Sequence, residues 1–273
     1  MRFLKYLLLP LLGVVFLLTS CGGKNGKPLL ATSIFPLTWV VENVYPTYEV
    51  YQLVKPGQNP HLYDLTPRDA VAVERAKKVF LIGNLEPFAK SIPPEKRVEV
   101  IKLLKLPESA NPHLWLSPKR WLAFAEKLPS VEGLKIDRNR WERLIGWLQR
   151  LDAEYKSLTP LGLKVVMVHP AFVWLCRDYN LEVLAILETH GGVGISPKTF
   201  TQTVETLKNL PDKGRVLILY ATTNPKGREI AEKLSSLTGV KAVGLDPLVE
   251  YERGNYTQLM EENLKKLLKA VGK

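Results

Sequence analysis

The sequence predicts an α/β protein made of two Rossmann-like βα lobes joined by one long α-helix. Three observations carry this. Short β-like runs alternate with helix-like runs from residue 29 onward, the pattern of parallel βαβ units. A single long amphipathic stretch interrupts the alternation at 137–158. After Thr159-Pro160 the alternation begins again and continues to the end of the chain.

In order, 29–34 reads as a strand, and Phe35-Pro36 opens a helix that ends near Tyr45-Pro46. The run 48–54 alternates and is rich in Val and Tyr, as a strand should be. Thr66-Pro67-Arg68-Asp69 sets a capping residue before a proline of the first helical turn. A short buried strand follows at 79–82 and ends at Gly83-Asn84. In the middle stretch Asp137 can cap a helix whose apolar residues (Trp141, Leu144, Ile145, Leu148, Leu151, Tyr155 and Leu158) recur at steps of three and four along one face. Beyond it come a strand at 164–168, a helix at 171–179, a strand at 182–187, a helix from Ser196-Pro197, a strand at 216–220, a helix at 225–237, a strand at 240–245 and a last helix at 256–271. The expected organisation is 28–136 for the first lobe, 137–158 for the linking helix and 159–273 for the second lobe.

The chain has 273 residues, 38 Lys+Arg and 27 Asp+Glu, a formal charge of +11. With 46% hydrophobic and 24% charged residues it can bury a core, which excludes a disordered or collagen-like protein. Two cysteines cannot form a disulfide framework or a four-thiolate zinc site. No apolar run reaches the roughly 20 residues of a membrane span. Basic residues never run longer than two and are interleaved with acids, so no nucleic-acid partner is expected.

The first residues read as an address. Arg2 and Lys5 precede an apolar run, 7–18, of signal-peptide length. The run ends in Leu18-Thr19-Ser20-Cys21, which resembles a bacterial lipobox. That resemblance implies a signal peptide over 1–20, lipidation of Cys21 and a lipidated tether over 21–27. Its removal would take away two basic side chains and no acid, leaving +9. A plain secreted cysteine is the alternative.

Three of the four histidines share a context. His61 lies in Asn59-Pro60-His61, His113 in Asn111-Pro112-His113, and His169 follows the 164–168 strand and precedes Pro170. Asp246 is placed the same way, after the 240–245 strand and before Pro247. In open α/β sheets ligands gather at the carboxyl ends of strands. Three neutral imidazoles and one carboxylate would suit a borderline dication such as zinc. The positions are too far apart for a local metal motif, so each histidine alone reads equally as a loop or core residue.

Longer segments carry a resemblance. Residues 53–67 (LVKPGQNPHLYDLTP), 80–88 (FLIGNLEPF), 111–118 (NPHLWLSP), 169–172 (HPAF) and 244–248 (GLDPL) occur in order behind the lipobox. Together they resemble the zinc/manganese-binding solute-binding lipoproteins of ABC importers, the helix-linked cluster A-I (cluster 9) type. The resemblance implies a bilobed protein, exported and lipid-anchored on the outer side of a bacterial membrane. Such a protein captures Zn2+, or alternatively Mn2+, as cargo in the cleft between lobes. It implies His61, His113, His169 and Asp246 as ligands, an ABC permease and the lipid bilayer as partners, a monomer, and no enzymatic activity. Histidine at the third ligand position tilts the expectation to zinc. Two departures stand against the family pattern. Ala221-Thr222-Thr223 supply no carboxylate after the 216–220 strand, and residues 84–112 contain no histidine-rich loop.

Other readings compete. A zinc hydrolase would need an open coordination position and a general base, and no His-Glu-x-x-His pair is present. An adhesin, or a carrier of an organic chelate, would share the fold. His190 reads as a surface loop residue and Cys176 as a buried inert thiol; Trp115, Phe172 and Trp174 read as packing.

Overall fold

The computed structural model describes residues 26–188 and 194–273. The signal-peptide reading of 1–20, the Cys21 lipidation site and His190 fall outside the described residues. Among the described residues no helix is long and apolar enough to cross a membrane.

The first lobe runs β1 (Leu29–Thr32), α1 (Phe35–Val44), β2 (Glu49–Gln52), α2 (Pro67–Arg75), β3 (Val79–Leu81), β4 (Arg97–Glu99), α3 (Val100–Leu103) and α4 (Pro118–Ala125). The long helix α5 (Arg138–Tyr155) follows. The second lobe runs β5 (Lys164–Met167), α6 (Val173–Asp178), β6 (Glu182–Ile186), α7 (Pro197–Lys208), β7 (Val216–Ala221), α8 (Pro225–Thr238), β8 (Lys241–Leu245) and α9 (Tyr256–Ala270).

Both sheets are parallel and share one topology, β2-β1-β3-β4 in the first lobe and β6-β5-β7-β8 in the second. In each, the chain leaves the first strand for one neighbour and later returns to the other side. The switch point lies at the carboxyl end of β1 in one lobe and of β5 in the other, where a crevice opens.

The helix starts follow from local chemistry. Thr66 Oγ1 accepts from the Asp69 N–H, and the Asp69 carboxylate accepts from the Thr66 N–H, a reciprocal cap for α2. Asp137 Oδ1 accepts from the Arg140 N–H at 3.0 Å and starts α5. Helix α5 buries Leu144, Leu148, Leu151 and Tyr155, the face its periodicity predicts. It ends at Tyr155, and the chain tightens into a 3-10 turn over Lys156–Leu161 that contains Pro160. Gly162, at φ +59°, closes that turn in the left-handed region. The expected helix to 158 therefore changes type in its last turn, because Pro160 has no N–H for an α-helical bond. The helix expected over 171–179 likewise begins as a 3-10 turn, Pro170–Phe172.

A second element also crosses between the lobes. In α9 the Tyr256 ring lies 5.3 Å from Trp39 and 6.1 Å from Trp121, and its hydroxyl donates to Trp115 O at 2.6 Å. The Tyr155 hydroxyl of α5 donates to Met260 O at 2.6 Å. The guanidinium of Arg120 in α4 makes a two-pronged pair with Asp178 at the end of α6. One continuous core accordingly runs through both lobes, with a smaller apolar cluster on the far face of the second sheet.

Candidate metal centre

His61 sits on the loop between β2 and α2. Gly57, at φ +81°, turns this loop, and Asn59 Oδ1 accepts from the His61 N–H at 3.0 Å. Asp69 ties the far end of the loop to α2, accepting from the hydroxyls of Tyr63 at 2.7 Å and Tyr51 at 3.0 Å. Burial pushes the Asp69 carboxyl up, but the hydrogen bonds from Thr66, Tyr63 and Tyr51 outweigh it and hold the group below its ordinary value.

The same device recurs at His113. Asn111 Oδ1 accepts from the His113 N–H at 3.0 Å and lies 3.1 Å from His113 Nδ1. The Asn111 amide is oriented by its Nδ2–H donating to Pro170 O at 2.7 Å, so its oxygen faces the imidazole. An acceptor at Nδ1 requires the proton there, which leaves the lone pair of His113 on Nε2. His169 leaves the end of β5 and precedes the 3-10 turn Pro170–Phe172. Its Nδ1 lies 3.1 Å from Glu188 Oε2.

These three histidines come together. One donor atom from each lies within 4.8 Å of the other two. Nε2 of His61 is 3.3 Å from Nε2 of His113. Two nitrogens at about 2.0–2.1 Å from one tetrahedral ion are separated by roughly 3.3–3.4 Å, so this pair already has the spacing of two zinc ligands. The group faces a cleft of about 940 Å³ between the lobes, whose lining also includes Glu86, Glu188 and Glu250.

Asp246 is not part of that group. It follows β8, as its position after an apolar run predicts. Its Oδ1 accepts from the Leu248 N–H at 2.7 Å and its Oδ2 from the Tyr251 hydroxyl at 2.5 Å. Burial, and then the bond to Asp246, push the Tyr251 hydroxyl above its ordinary range. Leu248 is buried with φ +60°, a left-handed backbone that costs a leucine about 1–2 kcal/mol. The turn that points Asp246 at Tyr251 is therefore held by its surroundings.

Four carboxylates that line the cleft, Glu86, Glu108, Glu188 and Glu250, carry no role in the sequence reading. Glu86 is fully enclosed and accepts from Ser33 Oγ, the Ile82 N–H and the Gly83 N–H at 2.5, 2.9 and 3.0 Å; burial raises its carboxyl. Glu250 Oε2 accepts from the Gly57 N–H at 2.6 Å, across the lobes. Glu188 contacts His169. A strand run ending at 187 does place Glu188 beside the crevice, and this was the available signal.

The remaining candidates are structural. Cys176 is buried, and burial pushes its thiol up to about 12. Trp115, Phe172 and Trp174 are buried, with the Trp115 ring 5.2 Å from His113. Tyr220 packs over Gly244, where a Cβ would meet the ring at 2.7 Å.

The sequence profile of the periplasmic zinc-uptake complex component A (ZnuA) family matches residues 30–270. The chain belongs to this family. Its members are substrate-binding proteins of transport systems. Within it, a Thermotoga maritima protein named as a candidate metal-binding protein is 28% identical over 262 residues, covering 90% of this chain and 94% of its own length. The zinc-binding lipoprotein AdcA of Streptococcus pneumoniae is 27% identical over 305 residues, covering 96% of this chain and 60% of AdcA. Among solved structures, the SBP FpvC of Pseudomonas aeruginosa in complex with Ni2+ superposes with a TM-score of 0.74 at 23% identity, over 90% of this chain and 97% of FpvC. FpvC has also been solved with Mn2+. At that identity the likeness concerns the fold: two α/β lobes around a cleft.

Proposed function

We propose that this chain is an exported, lipid-anchored carrier that captures a transition-metal ion, Zn2+, between its lobes and hands it to an ABC-type permease. The observation that carries the reading is the convergence of three imidazoles within 4.8 Å at the cleft between two lobes. Imidazole donors suit zinc, copper, iron and nickel, whereas manganese prefers carboxylate and water oxygens. His61, His113 and His169 are the proposed nitrogen ligands. Asp246 is the proposed fourth ligand, on the family resemblance alone. Residues 1–20 are read as the signal peptide, Cys21 as the lipidated residue and 21–27 as the tether. Residues 28–136 and 159–273 are read as the two lobes, with 137–158 joining them. The carrier is read as a monomer without catalytic turnover, its anchor holding it to the outer side of a bacterial membrane.

The experiment is metal competition on the soluble chain from Gly22 onward. The protein is stripped with chelator and offered Zn2+ and Mn2+ together, and bound metal per chain is counted. One zinc, lost on H61A, H113A or H169A, is the expected result. One manganese under the same competition would keep the site and change the cargo. No retained metal would overturn the carrier reading.

A further inference from the structure

We propose that Glu188 is a positioning residue for the metal site, fixing the tautomer and ring orientation of His169. The inference rests on the carrier reading above and adds to it a residue that neither the family resemblance nor the histidine spacing assigns.

The placement follows from the sheet. In the β5–β6 ladder Met167 pairs with Ile186. Carried two residues on, that offset sets Glu188 beside His169. Two backbone bonds past the end of β6 hold this offset: the Leu187 N–H donates to Met167 O at 2.9 Å and the Glu188 N–H to Val168 O at 2.8 Å. On its other side Glu188 is bridged in antiparallel fashion to Ile195. The backbone of Glu188 is thus held from both sides while its carboxylate reaches His169 Nδ1 at 3.1 Å. Both side chains are largely enclosed, at 21% exposure for His169 and 13% for Glu188.

A carboxylate can only accept from a neutral imidazole, so Glu188 selects the tautomer with hydrogen on Nδ1 and leaves the lone pair on Nε2. Asn111 does the same for His113 with a neutral oxygen. The second lobe uses a charged one instead. A charged acceptor makes a stronger bond and raises the basicity of the imidazole toward a cation. It also places a negative charge behind the ligand, where it offsets the charge of the incoming dication.

The test uses the soluble chain with Zn2+ competition, Co2+ absorption spectra and nitrogen-15 NMR of the metal-free histidines. Wild type is expected to show His169 as the Nδ1–H tautomer. E188A is expected to mix the two tautomers and to weaken Zn2+ binding roughly 10–100-fold, with the Co2+ band keeping wild-type intensity because no ligand is lost. E188Q, which retains an acceptor oxygen, is expected to recover most of the affinity and the tautomer. Wild-type affinity and tautomer in E188A would overturn the proposal. So would a Co2+ spectrum in E188A that matches H169A, since Glu188 would then be a ligand itself. Absence of metal on the wild-type chain would overturn the carrier reading and this inference with it, whereas the results above separate the two.

Discussion

The ring nitrogens Nε2 of His61 and Nε2 of His113 face each other at 3.3 Å. Two lone pairs cannot be held that close without something positive between them. The Asn111 oxygen beside His113 Nδ1 leaves that ring's lone pair on Nε2, the atom that faces His61. As proposed ligands of one ion both rings must present a lone pair, so metal binding requires both Nε2 atoms to be free of protons.

Removal of either ring should therefore do more than loosen the loop. H61A and H113A are each expected to weaken Zn2+ binding by more than the roughly 10–100-fold that follows loss of an outer hydrogen-bond partner. Titration against a chromophoric chelator measures the loss, and unchanged far-ultraviolet circular dichroism shows that the fold survives. A variant that binds as wild type would remove that histidine from the site.

Trp115 joins the lobes through both its side chain and its backbone. Its indole N–H donates to Pro247 O at 2.7 Å, and its carbonyl accepts from Tyr256. W115F leaves the buried Pro247 carbonyl without its donor, a cost of about 1–3 kcal/mol. The guanidinium chloride midpoint should fall accordingly, with Y256F adding less than its own separate effect.

Arg120 and Asp178 form a second cross-lobe tie, with the Asp178 side chain 2% exposed. Asp178 also accepts from Ser117 Oγ at 2.7 Å, and the Arg120 guanidinium lies 4.4 Å from the centre of the Trp174 ring. R120A leaves a buried carboxylate without its counter-charge and is expected to cost about 3–5 kcal/mol. R120M/D178L removes both charges and should recover much of that loss. Equal damage in the single and double variants would show that packing, not charge, holds this joint.

Asp69 predicts a pH dependence of stability. Its folded-state carboxyl lies below the ordinary value of 3.8, so the unfolded chain takes up the proton first. The stabilisation is fully present above about pH 4–5 and is lost as the pH falls through the folded value. D69N lacks this titration. Its stability deficit against wild type should be constant near neutrality and should shrink below pH 4. A deficit that stays constant down to pH 3 would contradict the hydrogen-bonded carboxylate.

The legible parts of this molecule are those set by neighbours in the chain. The caps at Thr66 and Asp137 and the buried face of α5 act over a few residues, and they form as the spacing predicts; the Asn59 and Asn111 bonds to the two histidine N–H groups act over the same range. Strand β4 escaped notice because it is three residues long and flanked by charge, Arg97 and Glu99, rather than by an apolar run. Helix α4 opens with the same kind of signal as α2, Ser117 capping ahead of Pro118, but is only eight residues long and went unread. Glu188 could not be assigned to His169 without the β5–β6 register, because 19 residues separate them. The orientation of Asp246 depends on a left-handed Leu248 that no local preference foretells.

The loop that carries His61 is fastened to the opposite lobe at three points: Gln52 Nε2 donates to Tyr251 O, the Gly57 N–H donates to Glu250, and Lys55 pairs with Glu252. Those partners lie a few residues past Asp246. A small rotation of the second lobe therefore pulls directly on the His61 loop, while Asn111 and Asp69 anchor His113 and the loop's far end. The His61 and His113 nitrogens are in this way wired to lobe orientation as the two ends of a strain gauge. If the pair holds the proposed ion, a docking partner that twists one lobe against the other would loosen that ion by changing the 3.3 Å spacing, with no need to reach into the cleft.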